Sequence, residues 1–297
     1  MDKRIAVVGL GQMGGRIARR LLHQGHDIGV YDIDPSRAGA FAALGAMPYR
    51  GLKELCAERD VILTVLPDAA IVKQVVLGAG GLAGGMQEGS LLIDMTTSVP
   101  AVTQQIAGTL SERGIRMLDA PVSGGVQKAE TGALTIMVGG LSSVLDDARP
   151  VLEELGEQII HVGGIGAGHT AKALNNLITA ANLAITSEAL ALGVKMGLNA
   201  QTLLDVVNAG SGRSAVSEIK FPMQVIPRTF APGFSMALMC KDVGIALDMA
   251  HEAATPMWVG KAVHQLWKHG AASGRADMDH TAIALTVEDL AGVQIGQ

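Results

Sequence analysis

Three observations predict an α/β fold followed by an all-α part. From residue 4 to residue 162 short apolar runs alternate with amphipathic segments, the rhythm of a parallel sheet with crossover helices. A glycine cluster follows the first apolar run directly. Beyond the loop Gly163-Gly164-Ile165-Gly166-Ala167-Gly168 the remaining sequence reads as helices with few strand candidates, so a boundary is expected between domains 1–164 and 165–297.

Strands are expected at 4–8, 28–31, 61–66, 90–93, 117–118, 134–138 and 159–162, each a short apolar run of the kind buried on both faces of a parallel sheet. Amphipathic patterns between them predict helices at 14–23, 36–44, 69–76, 101–113 and 142–155. The second part is expected to begin with a helix over 169–196, ended by Gly197. Further helices are expected at 200–209, 214–225, 241–253, 259–269 and 280–291.

The 297 residues suffice for two medium domains, each with its own core. Hydrophobic residues make up 48% but aromatic ones only 3%, so the core must be built from Ala, Val, Ile, Leu and Met. A net charge of -5 without a basic block lacks the electrostatic footprint of a nucleic-acid binder. Cys56 and Cys240 have no metal-ligand spacing, which argues against a disulfide scaffold or zinc site and for a reducing, cytoplasmic compartment. No leader is expected, because 4–8 runs straight into the glycine loop. The most apolar stretch, 173–194, carries Asn175, Asn176, Asn182 and Glu188, which are costly in lipid, so a core helix is expected and no membrane partner.

Gly9-Leu10-Gly11-Gln12-Met13-Gly14 satisfies G-x-G-x-x-G between a strand and a helix. Without side chains the backbone can turn tightly and approach a pyrophosphate, while the helix N-terminus offers N–H groups. A Rossmann-like dinucleotide-binding domain is therefore predicted. Asp32 lies 32 - 9 = 23 residues beyond the first glycine, near the ~20 expected of an acidic residue that reads the ribose hydroxyls. It favours NAD over NADP, although Arg37 could reach a 2′-phosphate. Leu66, Pro67 and Thr97 follow strands on the carboxyl edge, where ligands bind. Thr97 reads equally well as a nucleotide contact or a helix N-cap.

Ser123-Gly124-Gly125 offers a hydroxyl and unobstructed backbone N–H groups suited to a carboxylate, or else is a flexible turn. Lys172 and Asn176, four apart, share one helix face. Hydride transfer from an alcohol needs a group to take the hydroxyl proton, and partial burial beside an oxidised nicotinamide would lower a lysine pKa toward that task. The histidines lack metal-binding spacing and read as structural or solvated. Arg213 in Ser211-Gly212-Arg213-Ser214 is either an anion clamp or a helix-start residue.

With these segments in order, joined by 132–140, 168–176 and Lys241-Asp242, the sequence resembles the beta-hydroxyacid dehydrogenase family over nearly its whole length. This is the 3-hydroxyisobutyrate dehydrogenase group with its tartronate semialdehyde and sulfolactaldehyde reductase relatives. The resemblance implies Lys172 as catalytic lysine, Ser123, Gly124 and Gly125 as the substrate-carboxylate cradle, and Asn176 as a substrate-side amide. Thr97 and Lys241 would contact the cofactor. It implies an active site in the cleft between the two domains, a small anionic hydroxy acid or semialdehyde as substrate, and association as homodimers or homotetramers. Gly15-Arg16-Ile17-Ala18 departs from the family's small-Pro-Met-Ala run. An imine reductase of the same fold typically lacks the lysine, and a non-catalytic nucleotide binder would have no use for Lys172, Asn176 and Ser123 together.

Overall fold

A computed structural model describes residues 4–296. The chain divides into two units, the first ending at Lys172 and the second beginning at Ala173. In the first, one sheet holds β1 (Ile5–Val8), β2 (Ile28–Tyr31), β3 (Met47–Pro48), β4 (Val61–Thr64), β5 (Leu91–Asp94), β6 (Arg116–Asp119), β7 (Val122–Ser123), β8 (Leu134–Gly139) and β9 (Gly156–Gly163). The run β3-β2-β1-β4-β5-β6 is parallel. Chain order reverses between β1 and β4, which opens a crevice at their carboxyl ends, the place where open parallel sheets bind ligands.

The helices of this unit are α1 (Gly14–His23), α2 (Pro35–Ala42), α3 (Leu52–Glu58), α4 (Ala69–Leu77), α5 (Leu82–Gly85), α6 (Pro100–Ser111), α7 (Gly125–Thr131) and α8 (Ser142–Glu153). They cover both faces of the sheet because successive strand residues alternate sides. Ile5 and Val7 join Ile17, Leu21, Val30 and Leu63 in one core. Ala6 and Val8 join Leu55, Ile62, Val72, Leu92 and Ile106 in the other. Each buried Val, Leu or Ile contributes roughly 1.5–3 kcal/mol, so the sheet is held from both sides.

The line of β6 does not stop at Asp119. Asp119 pairs with Gly139, Val122 with Ile136 and Ser123 with Thr135, one constant antiparallel register against β8. Met137 N–H donates to Pro121 O at 3.0 Å in the same series. Proline supplies no N–H, so only the donor side of the ladder is broken there. β6 and β7 are thus one strand, parallel to β5 along its first part and antiparallel to β8 along its second. Ser123 is carried outward on this extension.

The second unit continues α9 (Ala167–Lys195) and adds α10 (Ala200–Ala209), a π-helical stretch (Val216–Val225), α11 (Met236–Glu252), α12 (Trp258–Gly270), a short π turn (Ala271–Arg275), a 3₁₀ turn (His280–Ala282) and α13 (Ile283–Ala291). Its core includes Leu183, Leu190, Phe221, Val225, Val243, Trp267 and Ile283. The Trp267 indole N–H donates to Ala180 O at 3.3 Å, so its one polar atom is satisfied inside. α9 is long and apolar enough to cross a membrane, with mean hydropathy 1.5 over its most apolar window, half of which is buried.

Several elements differ from expectation. The unexpected β3, α3, α5 and α7 are all seven residues or shorter, too brief to display a period. α11 starts at Met236 rather than 241, because Ser235 Oγ accepts the Leu238 N–H at 3.3 Å and caps it there. The helix expected over 214–225 is π-helical and contains Pro222, whose missing N–H disfavours regular α hydrogen bonding. By compactness the chain divides within α9, after Lys172, and Gly166 and His169 are bonded to Asp119 at the end of β6.

Candidate active site

The glycine loop joins β1 to α1 at the order reversal. A Cβ on Gly14 would lie 1.9 Å from Gly9 O, and one on Gly9, at φ +96°, would lie 2.3 Å from Val65 O. Both glycines are therefore demanded by the protein's own packing. Gly11 is not: nothing stands within 4 Å of where its Cβ would be. Bare backbone that no neighbour requires, exposed at a helix N-terminus, fits a pyrophosphate approaching the loop. Exposed Gln12 and half-buried Met13 complete the turn.

Asp32, just past β2, closes the loop from the other side. Its Oδ2 accepts the Leu10 N–H at 2.7 Å and its Oδ1 the Asp34 N–H at 2.9 Å. Arg37 stands 3.8 Å from Asp32 and 3.6 Å from Asp34, so this cation is already shared between two carboxylates. Ile33 beside them is 91% exposed. Arg16 bonds both the Gln12 carbonyl and its side-chain oxygen at 2.7 Å, and pairs with Glu130 of α7 at 2.9 Å. The departure from the family run at this position ties the glycine loop to α7.

Leu66 and Pro67 follow β4, and Thr97 follows β5. The Leu66 N–H donates to Thr96 Oγ1 at 3.0 Å, which binds the two loops together. Thr97 is not a helix cap: α6 is preceded by Val99, without a side-chain cap. Thr96 N–H and Thr64 Oγ1 donate to Asp94 Oδ1 at 3.1 and 2.9 Å. Asp94, Asp119 and His169 have no exposed surface. Asp119 Oδ1 accepts the Gly166 N–H at 2.7 Å and Oδ2 the His169 N–H at 2.9 Å, capping α9 from the end of β6.

Ser123 ends the β6–β7 extension, and Gly124 at φ +129° and Gly125 at φ +73° turn the chain into α7. A Cβ on Gly124 would meet the Lys128 stem at 2.7 Å, whereas nothing lies within 4 Å of one on Gly125. Lys172 is 8% exposed in α9, and Asn176 follows one turn later, also buried. In the second unit the Asn176 amide donates to Asp242 Oδ2 at 2.6 Å, and Lys241 Nζ lies 3.3 Å from Asp242 Oδ1. Arg213 is exposed and 3.8 Å from Glu218 at the start of the π-helical stretch, the helix-start alternative.

Sequence reading passed over Asp94, Asp242 and the burial of His169. The signal for Asp94 and Asp119 was present: each carboxylate ends an apolar strand at the ligand-binding edge. Nothing in spacing could have paired Asn176 with a carboxylate 66 residues away. Among the described residues no cluster of His, Cys, Asp or Glu could hold a metal ion.

Residues 4–163 match the family described as the NAD binding domain of 6-phosphogluconate dehydrogenase. Residues 166–287 match that described as NAD-binding of NADP-dependent 3-hydroxyisobutyrate dehydrogenase. The chain is 37% identical to 2-(hydroxymethyl)glutarate dehydrogenase of Eubacterium barkeri, over 99% of each chain. It is 36% identical to the NAD-dependent L-serine dehydrogenase of Pseudomonas aeruginosa, over 95% of this chain and 96% of that one. The solved structure of Mycobacterium tuberculosis 3-hydroxyisobutyrate dehydrogenase with L-serine superposes with a TM-score of 0.90 at 34% identity, covering 97% of this chain and 99% of that one. With this fold, this glycine loop and these relatives, the chain belongs to the beta-hydroxyacid dehydrogenase family and is an NAD-dependent oxidoreductase acting on a CH–OH group.

Proposed function

We propose that the enzyme interconverts a short beta-hydroxy acid and its semialdehyde, with Lys172 as general acid and base. The observation that carries this reading is the burial of Lys172. A lysine on a helix is ordinarily a solvated surface group and is seldom buried. This one is 8% exposed, one turn from an asparagine whose amide is fixed by a buried carboxylate.

NAD, when bound, supplies the hydride acceptor. As the C–H bond breaks, neutral Lys172 takes the hydroxyl proton and becomes an ammonium; in reduction it returns that proton to the carbonyl oxygen. Ser123, Gly124 and Gly125 hold the acid group and Asn176 orients the substrate from the lysine's own helix. Gly9, Gly11, Gln12, Met13, Gly14, Asp32, Leu66, Pro67, Thr97 and Lys241 hold the nucleotide. Domain 1–164 then carries the glycine loop, Asp32 and the Ser123-Gly124-Gly125 cradle, and domain 165–297 carries Lys172, Asn176 and Lys241. Free Cys56 and Cys240 support a reducing cytoplasmic setting. Exposed Leu174, Ile178, Ile185 and Leu192 make one apolar stripe along α9, which supports association into homodimers or homotetramers.

Acid recognition is tested by comparing hydroxy acids, among them 3-hydroxyisobutyrate, L-serine and 2-(hydroxymethyl)glutarate, with their neutral alcohol counterparts. Gly124→Val is a poor probe, since its φ of +129° strains any side chain. Gly125→Ala is cleaner: the conformation costs about 1–2 kcal/mol, and the methyl enters space that nothing else in the chain occupies. It should raise KM for the acid about tenfold, one charge-assisted hydrogen bond's worth, with little effect on the alcohol. Equal kcat/KM for acid and alcohol in the wild type would reduce 123–125 to a turn.

Cofactor choice rests on Asp32. Asp32→Ser with Ile33→Arg removes the carboxylate, leaves Arg37 with Asp34 alone and adds a cation at an exposed position. The NADP-to-NAD ratio of kcat/KM should rise about 10- to 100-fold, the value of one or two charge-assisted contacts. The ratio is the quantity to read, because Asp32 also anchors Leu10 and its loss weakens both cofactors. An unchanged ratio would remove Asp32 from cofactor choice.

A further inference from the structure

Proton chemistry at Lys172 leaves one buried constellation unused. His169 lies in the first turns of α9, three residues before Lys172 and so on the same side of the helix. Its Nδ1 is 2.8 Å from Thr103 Oγ1, and its Nε2 is 3.8 Å from Asp94 Oδ2. Neither His169 Nε2 nor Asp94 Oδ2 has a hydrogen-bond partner, and both residues have no exposed surface.

Counting protons restricts what this arrangement can be. Thr103 has one hydroxyl proton to give, either to Val99 O at 3.3 Å or to His169 Nδ1. If Thr103 gives it to Val99, Nδ1–H is the donor; if it gives it to Nδ1, the ring's own proton must be on Nε2. A bare Nε2 facing an ionised Asp94 would set two lone pairs against each other in a dry site. Nε2 and Asp94 Oδ2 face each other at 3.8 Å inside a closed, polar pocket. Burial pushes the Asp94 carboxyl above its usual range, and His169 with the Thr96 and Thr64 hydrogen bonds pulls it back. The His169 backbone N–H donates to Asp119. The ring is gripped from α6 by Thr103 and faced from β5 by Asp94, whose other oxygen reaches Thr96 and, through it, the Leu66 loop.

We infer that His169 is a positioning residue for Lys172: it sets the roll and height of the first turns of α9 on the sheet edge, and thereby where the lysine ammonium is delivered. The inference rests on the reading of Lys172 as the proton carrier. His169 touches neither hydride nor substrate proton. It joins the loops assigned to the nucleotide to the helix assigned to acid-base work.

The test uses the whole enzyme and two variants. His169→Phe keeps a ring of similar size and removes both nitrogen contacts; Thr103→Val removes the Nδ1 partner and leaves the histidine. With NAD affinity within about twofold of wild type, kcat for the best hydroxy acid should fall at least tenfold in His169→Phe, since a misplacement of about 1 Å costs on the order of 10²-fold. Thr103→Val should lose kcat in the same direction by less. The double variant should be no slower than His169→Phe alone, because the threonine acts through the histidine. A lowered melting temperature with wild-type kcat in either folded variant would make the cluster merely structural and overturn the inference. Multiplying losses in the double variant would overturn it also. If His169→Phe does not fold, Thr103→Val decides alone. Retained activity in Lys172→Ala would instead defeat the functional reading, so the two failures are distinguishable.

Discussion

Lys172→Ala is expected to turn over its hydroxy acid at least about 10²-fold more slowly than wild type, the contribution of a positioned acid-base group. NAD affinity should stay within about twofold, because this residue moves a proton and holds no part of the nucleotide. The loss should appear in kcat and kcat/KM together, the pattern of an interaction made in the transition state. Nicotinamide absorbance gives the rate, and titration of the folded protein with NAD gives the affinity. Normal kcat in a folded variant would leave the proton step without a carrier and sink the mechanism.

The second large effect is on stability. Asp119 has no exposed surface and accepts two backbone N–H groups, those of Gly166 and His169, at 2.7 and 2.9 Å. Asp119→Ala deletes both bonds to a charged acceptor and leaves two buried donors without one, a loss of about 3–5 kcal/mol. That is a large share of the ~5–15 kcal/mol by which domains are usually stable. Asp119→Asn keeps one acceptor of the same shape and should lose about half as much. Urea unfolding followed by far-ultraviolet circular dichroism measures both. A loss below about 1 kcal/mol for the alanine variant would mean that solvent or a rearranged loop caps α9 instead.

The long periodic elements were legible in the sequence. α1 and α10 begin and end where the pattern put them, because amphipathic ten-residue segments bounded by glycine or a capping asparagine carry both period and punctuation. The glycine loop was legible for the same reason. Elements defined by a partner distant in the chain were not. β7 is two residues long and exists only because β8 runs beside it. The proline and glycines around it read as a loop until the ladder to Thr135 and Ile136 is seen. Site residues divide in the same way: Lys172 and Asn176 are one turn apart on one helix and could be read together. Asp242, which accepts the Asn176 amide, lies 66 residues further along the chain and became visible as its partner only in three dimensions; Asp94 stood in sight at the end of its strand, but its approach to His169 did not.

The strand that runs on from β6 through Pro121 to Ser123 has a consequence for how this enzyme can change. Residues 119–122 are buried, with 119, 122 and 123 locked in register against β8, so substitutions there disturb the sheet itself. Gln127 and Lys128, a few positions further on, are exposed on a single short helix. The rail is fixed and its tip is open. Surface substitutions away from buried networks usually alter stability by no more than about 0.5 kcal/mol. Libraries confined to positions 126–128 should therefore redirect which acids the enzyme accepts while preserving expression and melting behaviour, whereas libraries at 119–122 should return mostly unfolded protein.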